Sequence, residues 1–238
     1  MTDADLVIQQ NIRTVQAKIA AAAERSGRNP SSVSLLAVTK NVGLEDIRRA
    51  LAAGIQLIGE NRIQEARQKF AHIGPAITWH MIGHLQTNKA RQAAAIFDMV
   101  QSVDSTRVAE ALSKAAEGLD RQLDVLIEVN IATEEQKSGV SPGAAEGLVR
   151  QVDQLSHLRL RGLMSMAPYV PDPETVRPFF RHMHELFVNL RDGVRRPSLW
   201  NMLSMGMTHD YEVAVEEGAT LVRIGTGIFA RTTAGGTA

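Results

Sequence analysis

Apolar residues recur at Ile8, Ile12, Val15, Ile19 and Ala22, at spacings of four and three that set them on one stripe of a helix. The pattern predicts an opening amphipathic helix that stops around Ser26-Gly27 and packs on the outside of the rest of the chain. The period then changes. Val33, Leu35, Leu36, Ala37 and Val38 form a short, partly β-branched run behind the turn residues Asn29, Pro30, Ser31 and Ser32, which reads as a strand covered on both faces. Beyond it, short apolar runs over 55–59, 77–82, 99–103, 123–129, 158–164, 199–203 and 220–224 alternate with helical patterns. Those helices are predicted over 63–70, 89–97, 108–116, 144–155, 176–190 and 211–217. About eight strands separated by helices in one chain of this length predict a single (β/α)8 barrel of the TIM type with an additional N-terminal helix, an α/β fold. The expected division is a helix region over 1–30, the barrel over 31–231 and a frayed tail over 232–238. Pro168, Pro171 and Pro173 mark a longer loop after the sixth strand.

Charge and composition narrow the partners. Lys plus Arg and Asp plus Glu both number 26, so the 238-residue chain has no formal net charge and no broad electrostatic footprint for nucleic acid or an anionic membrane. A small-molecule ligand is the expectation. The absence of cysteine removes disulfides, thiolate nucleophiles and sulfur-ligated metals together. The first residues are acidic and polar, and no apolar run approaches the roughly 18 residues of a spanning helix, so a cytoplasmic location is expected. No metal site is expected either. His182 and His184 are two apart on a predicted helix and do not share a face, and His80 and His84 straddle Gly83 at a strand end.

A barrel of this kind carries its functional groups at the C-terminal ends of its strands. In order, the predicted ends offer Lys40, Glu60-Asn61, Gly83-His84 with Gln86 and Asn88, Asp104, Asn130, Ser165, Ser204, and Arg223 with Gly225-Thr226. For Asp104 and Ser165, polarity simply begins where a strand stops. Lys40, Asn61, Ser204 and Arg223 make a more specific set. A lysine closing a buried strand is held by the scaffold near apolar surface that favours a neutral amine, the nucleophile of Schiff-base chemistry. Ser204 and Thr226 offer hydroxyls, and Gly206, Gly225 and Gly227 let backbone N–H groups approach an anion after the last two strands, where such barrels often hold phosphate. A lysine and a phosphate cradle on one rim suit a phosphorylated aldehyde or ketone, and pyridoxal 5′-phosphate satisfies both requirements. Arg223 against the pyridine nitrogen would leave that nitrogen unprotonated, because arginine donates hydrogen bonds and cannot accept one.

The residues also carry a family resemblance. The segments Ala37-Val38-Thr39-Lys40, Gly59-Glu60-Asn61, Trp79 through Lys89, Val129-Asn130 with Glu135, Lys137 and Gly139, Gly162-Leu163-Met164, Leu203 through Met207 and Val222 through Thr226 resemble the pyridoxal-phosphate homeostasis proteins. The fold of that family resembles the barrel domain of alanine racemases. The resemblance implies Lys40 as the covalent imine lysine, Arg223 as the pyridine-nitrogen partner, and Ser204, Gly225 and Thr226 as phosphate ligands. It places Asn61 near the cofactor ring or its hydroxyl, with His80 and Met164 as wall residues. It further implies a monomeric, non-catalytic carrier of vitamin B6 that stores, buffers or delivers its cofactor, with pyridoxal-phosphate-dependent apo-enzymes as partners. Two departures stand out: Arg62 follows Asn61 where the family commonly has an aromatic residue, and His209 interrupts the polar run from Thr208 to Asp210. The alternative is a pyridoxal-phosphate-dependent amino-acid racemase. That reaction needs a second proton-transfer group, usually from another domain or subunit, and this chain ends right after its predicted barrel. An imine-forming aldolase on a sugar phosphate also fits an isolated Lys40, but Arg223 on the axis suits a pyridine better.

Overall fold

The computed structural model describes residues 2–134, 136 and 138–230; the predicted tail, Glu135 and Lys137 lie outside the described residues. Helix α1 (Asp3–Arg25) starts with a reciprocal cap, the Thr2 hydroxyl accepting from the Asp5 amide while the Asp5 carboxylate accepts from the Thr2 amide. Its buried stripe is Ile8, Ile12, Val15, Ile19, Ala22 and Ala23, and it packs against the outside of the barrel. Among the described residues no helix is long and apolar enough to cross a membrane.

Eight parallel strands come next: β1 (Ser34–Val38), β2 (Leu57–Glu60), β3 (Thr78–Met81), β4 (Met99–Val103), β5 (Leu123–Val129), β6 (Leu158–Ser165), β7 (Met202–Met207) and β8 (Leu221–Ile224). Each pairs with the next, and β8 pairs back onto β1, so the sheet closes. Between them run α2 (Leu44–Ala52), α3 (Ile63–Ile73), α4 (Ala90–Ile96), α5 (Thr106–Glu117), α6 (Pro142–Asp153), α7 (Arg177–Leu190) and α8 (Tyr211–Glu216), with the short α9 (Thr226–Phe229) after β8. The chain is a (β/α)8 barrel with an additional N-terminal helix. Helix α2 is missing from the predicted elements although Leu44, Ile47 and Leu51 recur at helical spacing; its nine residues make that stripe short, with Ile47 and Ala50 the residues it buries.

The alternation of side chains along each strand sorts the core into two layers. Trp79, Met81, Val125, Ile127, Leu203, Met205, Val222 and Ile224 face outward and join the helices in one hydrophobic cluster. Inside the barrel, Met99, Leu126 and Met164 form a separate small cluster with Met166 and Met202 packed against it. The interior also holds buried polar groups. Gln101 on β4 bonds Ser204 on β7, strands that are not neighbours, so the bond runs across the barrel.

The seventh strand departs from expectation. A run over 199–203 is predicted, whereas β7 occupies Met202–Met207, because Ser204, turned inward onto Gln101 and Arg223, and Gly206, which has no side chain, look like loop residues in sequence. Ser204 pairs with Leu221 and Met207 with Arg223, so β7 spends one more residue than β8 over this stretch. Gly206 sits in that irregularity at φ +92°, and a Cβ there would fall 2.6 Å from the Ala214 side chain.

Candidate functional site

A cavity of about 650 Å3 opens at the C-terminal ends of β1, β7 and β8, lined by Val38, Lys40, Pro168, Tyr169, Thr208, His209, Asp210, Arg223, Gly225 and Thr226 among others. Its size is that of a small-molecule site, and it lies at the end of the barrel where such sites are built. A larger groove of about 910 Å3 is lined by His84, Asp104 and Arg107, but neither Lys40 nor Arg223 reaches that groove. The convergence of amine, guanidinium and hydroxyls makes the smaller cavity the candidate.

Lys40 lies just beyond the end of β1 and is exposed on the cavity wall. Its amine has no hydrogen-bond or ion-pair partner among the described residues. Arg223 is its opposite. Only 4% exposed, it is fixed by two bonds, Nη1 donating to Ser204 Oγ at 2.6 Å and Nη2 to the Ser165 carbonyl at 2.7 Å. Burial pulls its pKa down to about 10, with Asp210 and Glu128 opposing the fall, so the guanidinium stays charged at neutral pH.

The bonds continue down the barrel. Ser204 Oγ donates to Gln101 Oε1 at 2.7 Å, and the Gln101 amide nitrogen meets His80 Nδ1 at 2.7 Å. Burial, aided by Arg161, pushes the His80 pKa down to about 3, so its ring is neutral and Nδ1 accepts. Glu128, also inside the barrel, is pushed up to about 7 by burial, with Asp104 adding and Arg223 opposing. Its Oε2 is buried with no partner. Asp210, on the cavity wall, is raised by burial against the opposing pull of its bond from the Met207 amide and of Arg223.

At the other side of the cavity the backbone supplies donors. Gly225 precedes α9, and the amides of Gly225 and Thr226 donate to no backbone carbonyl among the described residues. The Gly227 amide donates to Thr208 Oγ1 at 3.3 Å, tying the end of β7 to the start of α9. Above them stands His209, the unexpected residue in this run. Its Nε2 lies 2.8 and 3.1 Å from the carbonyls of Val170 and Pro171; those carbonyls being acceptors, Nε2 carries the hydrogen and donates. It thereby fastens the proline-rich loop after β6, with its ring 5.2 Å from that of Tyr169.

Of the eight residues picked from sequence, the fold brings Lys40, Arg223, Gly225 and Thr226 to the cavity wall. The other four are off it. Ser204 lies in the middle of β7, fully buried, with its hydroxyl committed to Gln101 and Arg223; the hydroxyl on the wall just past β7 is that of Thr208, which the misjudged strand end concealed. His80 lines a second cavity at the opposite end of the barrel, because it lies within β3 and not beyond it. Met164 packs with Met99 and Leu126 inside the barrel, away from the wall. Asn61, just past β2, is off this wall, but its Oδ1 is buried without a partner. Gly83 lets the chain pass it: a Cβ there would fall 2.3 Å from the Asn61 carbonyl oxygen.

Comparison with known proteins gives one consistent result. The alanine racemase N-terminal domain family matches residues 8–232. The pyridoxal phosphate homeostasis protein of Aquifex aeolicus is 40% identical over 225 residues, covering 92% of this chain and 96% of that protein. That of Escherichia coli is 40% identical, covering 93% and 95%. Among solved structures, PipY of Synechococcus elongatus with pyridoxal phosphate bound superimposes with a TM-score of 0.76 at 36% identity, covering 89% of this chain and all of that one. An alanine racemase of Clostridium difficile shares the fold at a TM-score of 0.71 but only 11% identity, and this chain spans 57% of it.

Proposed function

Because the chain belongs to the pyridoxal phosphate homeostasis protein family, we propose that it binds pyridoxal 5′-phosphate in the 650 Å3 cavity and acts as a non-catalytic carrier that stores, buffers or delivers it. The observation that carries this reading is the meeting of Lys40, Arg223 and the Thr208, Gly225 and Thr226 donors on one wall. The chemistry of this donor set fits the cofactor. Lys40 and Arg223 outweigh Asp210 in charge, which suits an anion, and the orphaned Asn61 oxygen is a buried acceptor in want of a donor.

In this assignment Lys40 holds the aldehyde carbon as an imine, and Arg223 faces the pyridine nitrogen. Thr208, Gly225 and Thr226 hold the phosphate, with Thr208 taking the place expected of Ser204. Ser204 serves instead to fix Arg223. The cofactor supplies an electron sink when its ring nitrogen is protonated. Arg223, already bonded to Ser204 and the Ser165 carbonyl, offers only donors, and so disfavours that protonation. A carrier is therefore a better match than a racemase.

The test is an absorbance spectrum of the loaded protein before and after borohydride, followed by peptide mapping. Reduction should fix the cofactor on the peptide that contains Lys40, and trapping solely at another lysine would sink the assignment. The carrier reading is tested separately by incubating the loaded protein with D- and L-alanine in heavy water. Racemisation at enzyme-like rates, on the order of 1 per second or more, would overturn it.

A further inference from the structure

The backbone on both sides of Lys40 is tied to one buried cluster. The Thr39 carbonyl accepts from Lys69 Nζ at 2.6 Å, and the Asn41 amide donates to Glu65 Oε1 at 2.7 Å. These two groups belong to the two peptide planes that flank the Lys40 Cα. Lys69 joins them, donating to Glu65 Oε1 at 2.6 Å and to Glu60 Oε1 at 2.7 Å. Glu60 Oε1 also accepts from the Thr39 hydroxyl at 2.6 Å. Glu60 ends β2, and Glu65 and Lys69 stand one turn apart on α3, so the neighbouring β/α unit supplies the whole cluster.

Several features set this apart from an ordinary ion pair. Lys69 is 7% exposed and Glu60 fully buried, an arrangement that is costly unless the charges are partnered: Glu60 Oε1 accepts twice, whereas its Oε2 has no partner and burial raises its carboxyl above the ordinary range. All three donors of the Lys69 ammonium have an acceptor, and one of the three is the chain beside Lys40. Asn41 is left-handed at φ +60°, a conformation uncommon outside glycine, and the Glu65 bond secures it. Burial raises the Glu65 carboxyl, but the bonds from Lys69 and the Asn41 amide outweigh it and hold the group below its ordinary range, so it remains a charged acceptor.

We propose that Lys69, with Glu65 and Glu60, is a positioning cluster that sets the backbone at Lys40 so that its amine is presented to the carbonyl of the ligand. The proposal rests on the reading of Lys40 as the imine lysine. Lys69 touches neither ligand nor reacting atoms. Its effect passes through two peptide planes to the Lys40 Cα–Cβ direction, and the four-carbon side chain magnifies any rotation there.

The experiment separates imine formation from binding. Stopped-flow absorbance on mixing with pyridoxal 5′-phosphate reports the first, and affinity for pyridoxine 5′-phosphate, which lacks the aldehyde, reports the second. Lys69→Met and Glu65→Ala are expected to slow imine formation by on the order of tenfold to a hundredfold, as a displacement of about 1 Å would. Their affinity for pyridoxine 5′-phosphate should be unchanged. Glu65→Gln keeps an acceptor for the Asn41 amide and should restore most of the rate. Glu65 is the more exposed member, so its variants carry the test if Lys69→Met does not fold. Wild-type rates in the variants, or an equal loss of imine formation and pyridoxine 5′-phosphate affinity, would overturn the proposal. Borohydride mapping of the unaltered protein keeps the two readings apart: an imine at Lys40 with unchanged variant rates defeats the cluster alone.

Discussion

The two ends of the barrel interior are both polar, but only one is settled. At the N-terminal end a cavity of about 500 Å3 is lined by Thr78, His80, Met99, Asp124, Arg161 and Met202. Its charges satisfy each other: Asp124 accepts from Arg161 Nη1 at 2.6 Å and from Arg159, and Arg161 also donates to the Leu199 carbonyl and Asn201 Oδ1, both at 3.1 Å. At the C-terminal end Lys40 has no partner among the described residues, the Gly225 and Thr226 amides have no carbonyl, and the Asn61 oxygen has no donor. Paired ions stabilise a fold, whereas unpaired donors on a cavity wall are groups held ready for a ligand. Arg223 belongs to both descriptions, its side chain fixed from within by Ser204 and the Ser165 carbonyl while it still lines the open cavity.

Substitutions should divide along the same line. The largest effect is expected from Lys40→Ala, which should abolish the imine absorbance while leaving stability within about 0.5 kcal/mol, since the residue is exposed and unpartnered. Retention of the imine signal in that variant would erase the functional contrast between the two ends.

Glu128 lies between them and makes stability depend on pH. Its pKa in the folded chain is raised from 4.5 to about 7, so the folded state holds a proton that the unfolded state releases between those values. This contribution is intact below about pH 4.5 and is lost as pH rises toward and through 7, by on the order of 3 kcal/mol. Glu128→Gln should flatten that part of the profile, measured as the urea midpoint of the cofactor-free protein against pH. A variant profile parallel to the parent would assign the slope to other groups.

Smaller and more discriminating is the pair Thr208→Val and Ser204→Ala. Loss of the Thr208 hydroxyl should weaken pyridoxal 5′-phosphate by about 1.5 to 3 kcal/mol and leave pyridoxal, which lacks the phosphate, nearly unaffected. Loss of the Ser204 hydroxyl leaves Gln101 Oε1 and Arg223 Nη1 each short of a partner, and should cost about 1 to 3 kcal/mol of stability. The reverse outcome, with phosphate selectivity following Ser204, would return it to the role the sequence suggested. Smallest of all in its effect on the cofactor is Asp124→Asn at the far end. It should reduce stability by about 1 to 2 kcal/mol through the arginines it leaves behind, with the imine spectrum and cofactor affinity unchanged.

Much of this was legible in the chain because barrel strands covered on both faces are short apolar runs. The runs over 99–103 and 123–129 coincide with β4 and β5 residue for residue. The same rule misplaced β7: a strand interrupted by the inward Ser204 and by Gly206, which lies against α8, has no continuous apolar run, and the predicted run over 199–203 begins in a segment where Trp200 packs by its indole on Phe187 instead. Lys40, Arg223, Gly225 and Thr226, which line the cavity, could be picked out because they lie at or beyond the ends of clear strands. Thr208 was not, since its position depends on where β7 stops. Glu65 and Lys69 carry an i, i+4 signal on α3 that any solvated helix could show, and Glu60 at the end of β2 carries none that points to them.

By itself, then, the sequence determined the barrel, its closure by alternating strands and helices, and the polar rim, since hydrophobic periodicity and strand ends are properties of consecutive residues. Tertiary structure alone decided which polar groups meet. Inside a closed barrel, partners come from strands far apart in sequence: Gln101 bonds Ser204, and Arg223 bonds the Ser165 carbonyl. Their register depends on shear and on a local irregularity between β7 and β8, which no local pattern encodes. The same holds for the lysine that steadies another lysine, because the contact between Lys69 and Thr39 exists only once β2 lies beside β1.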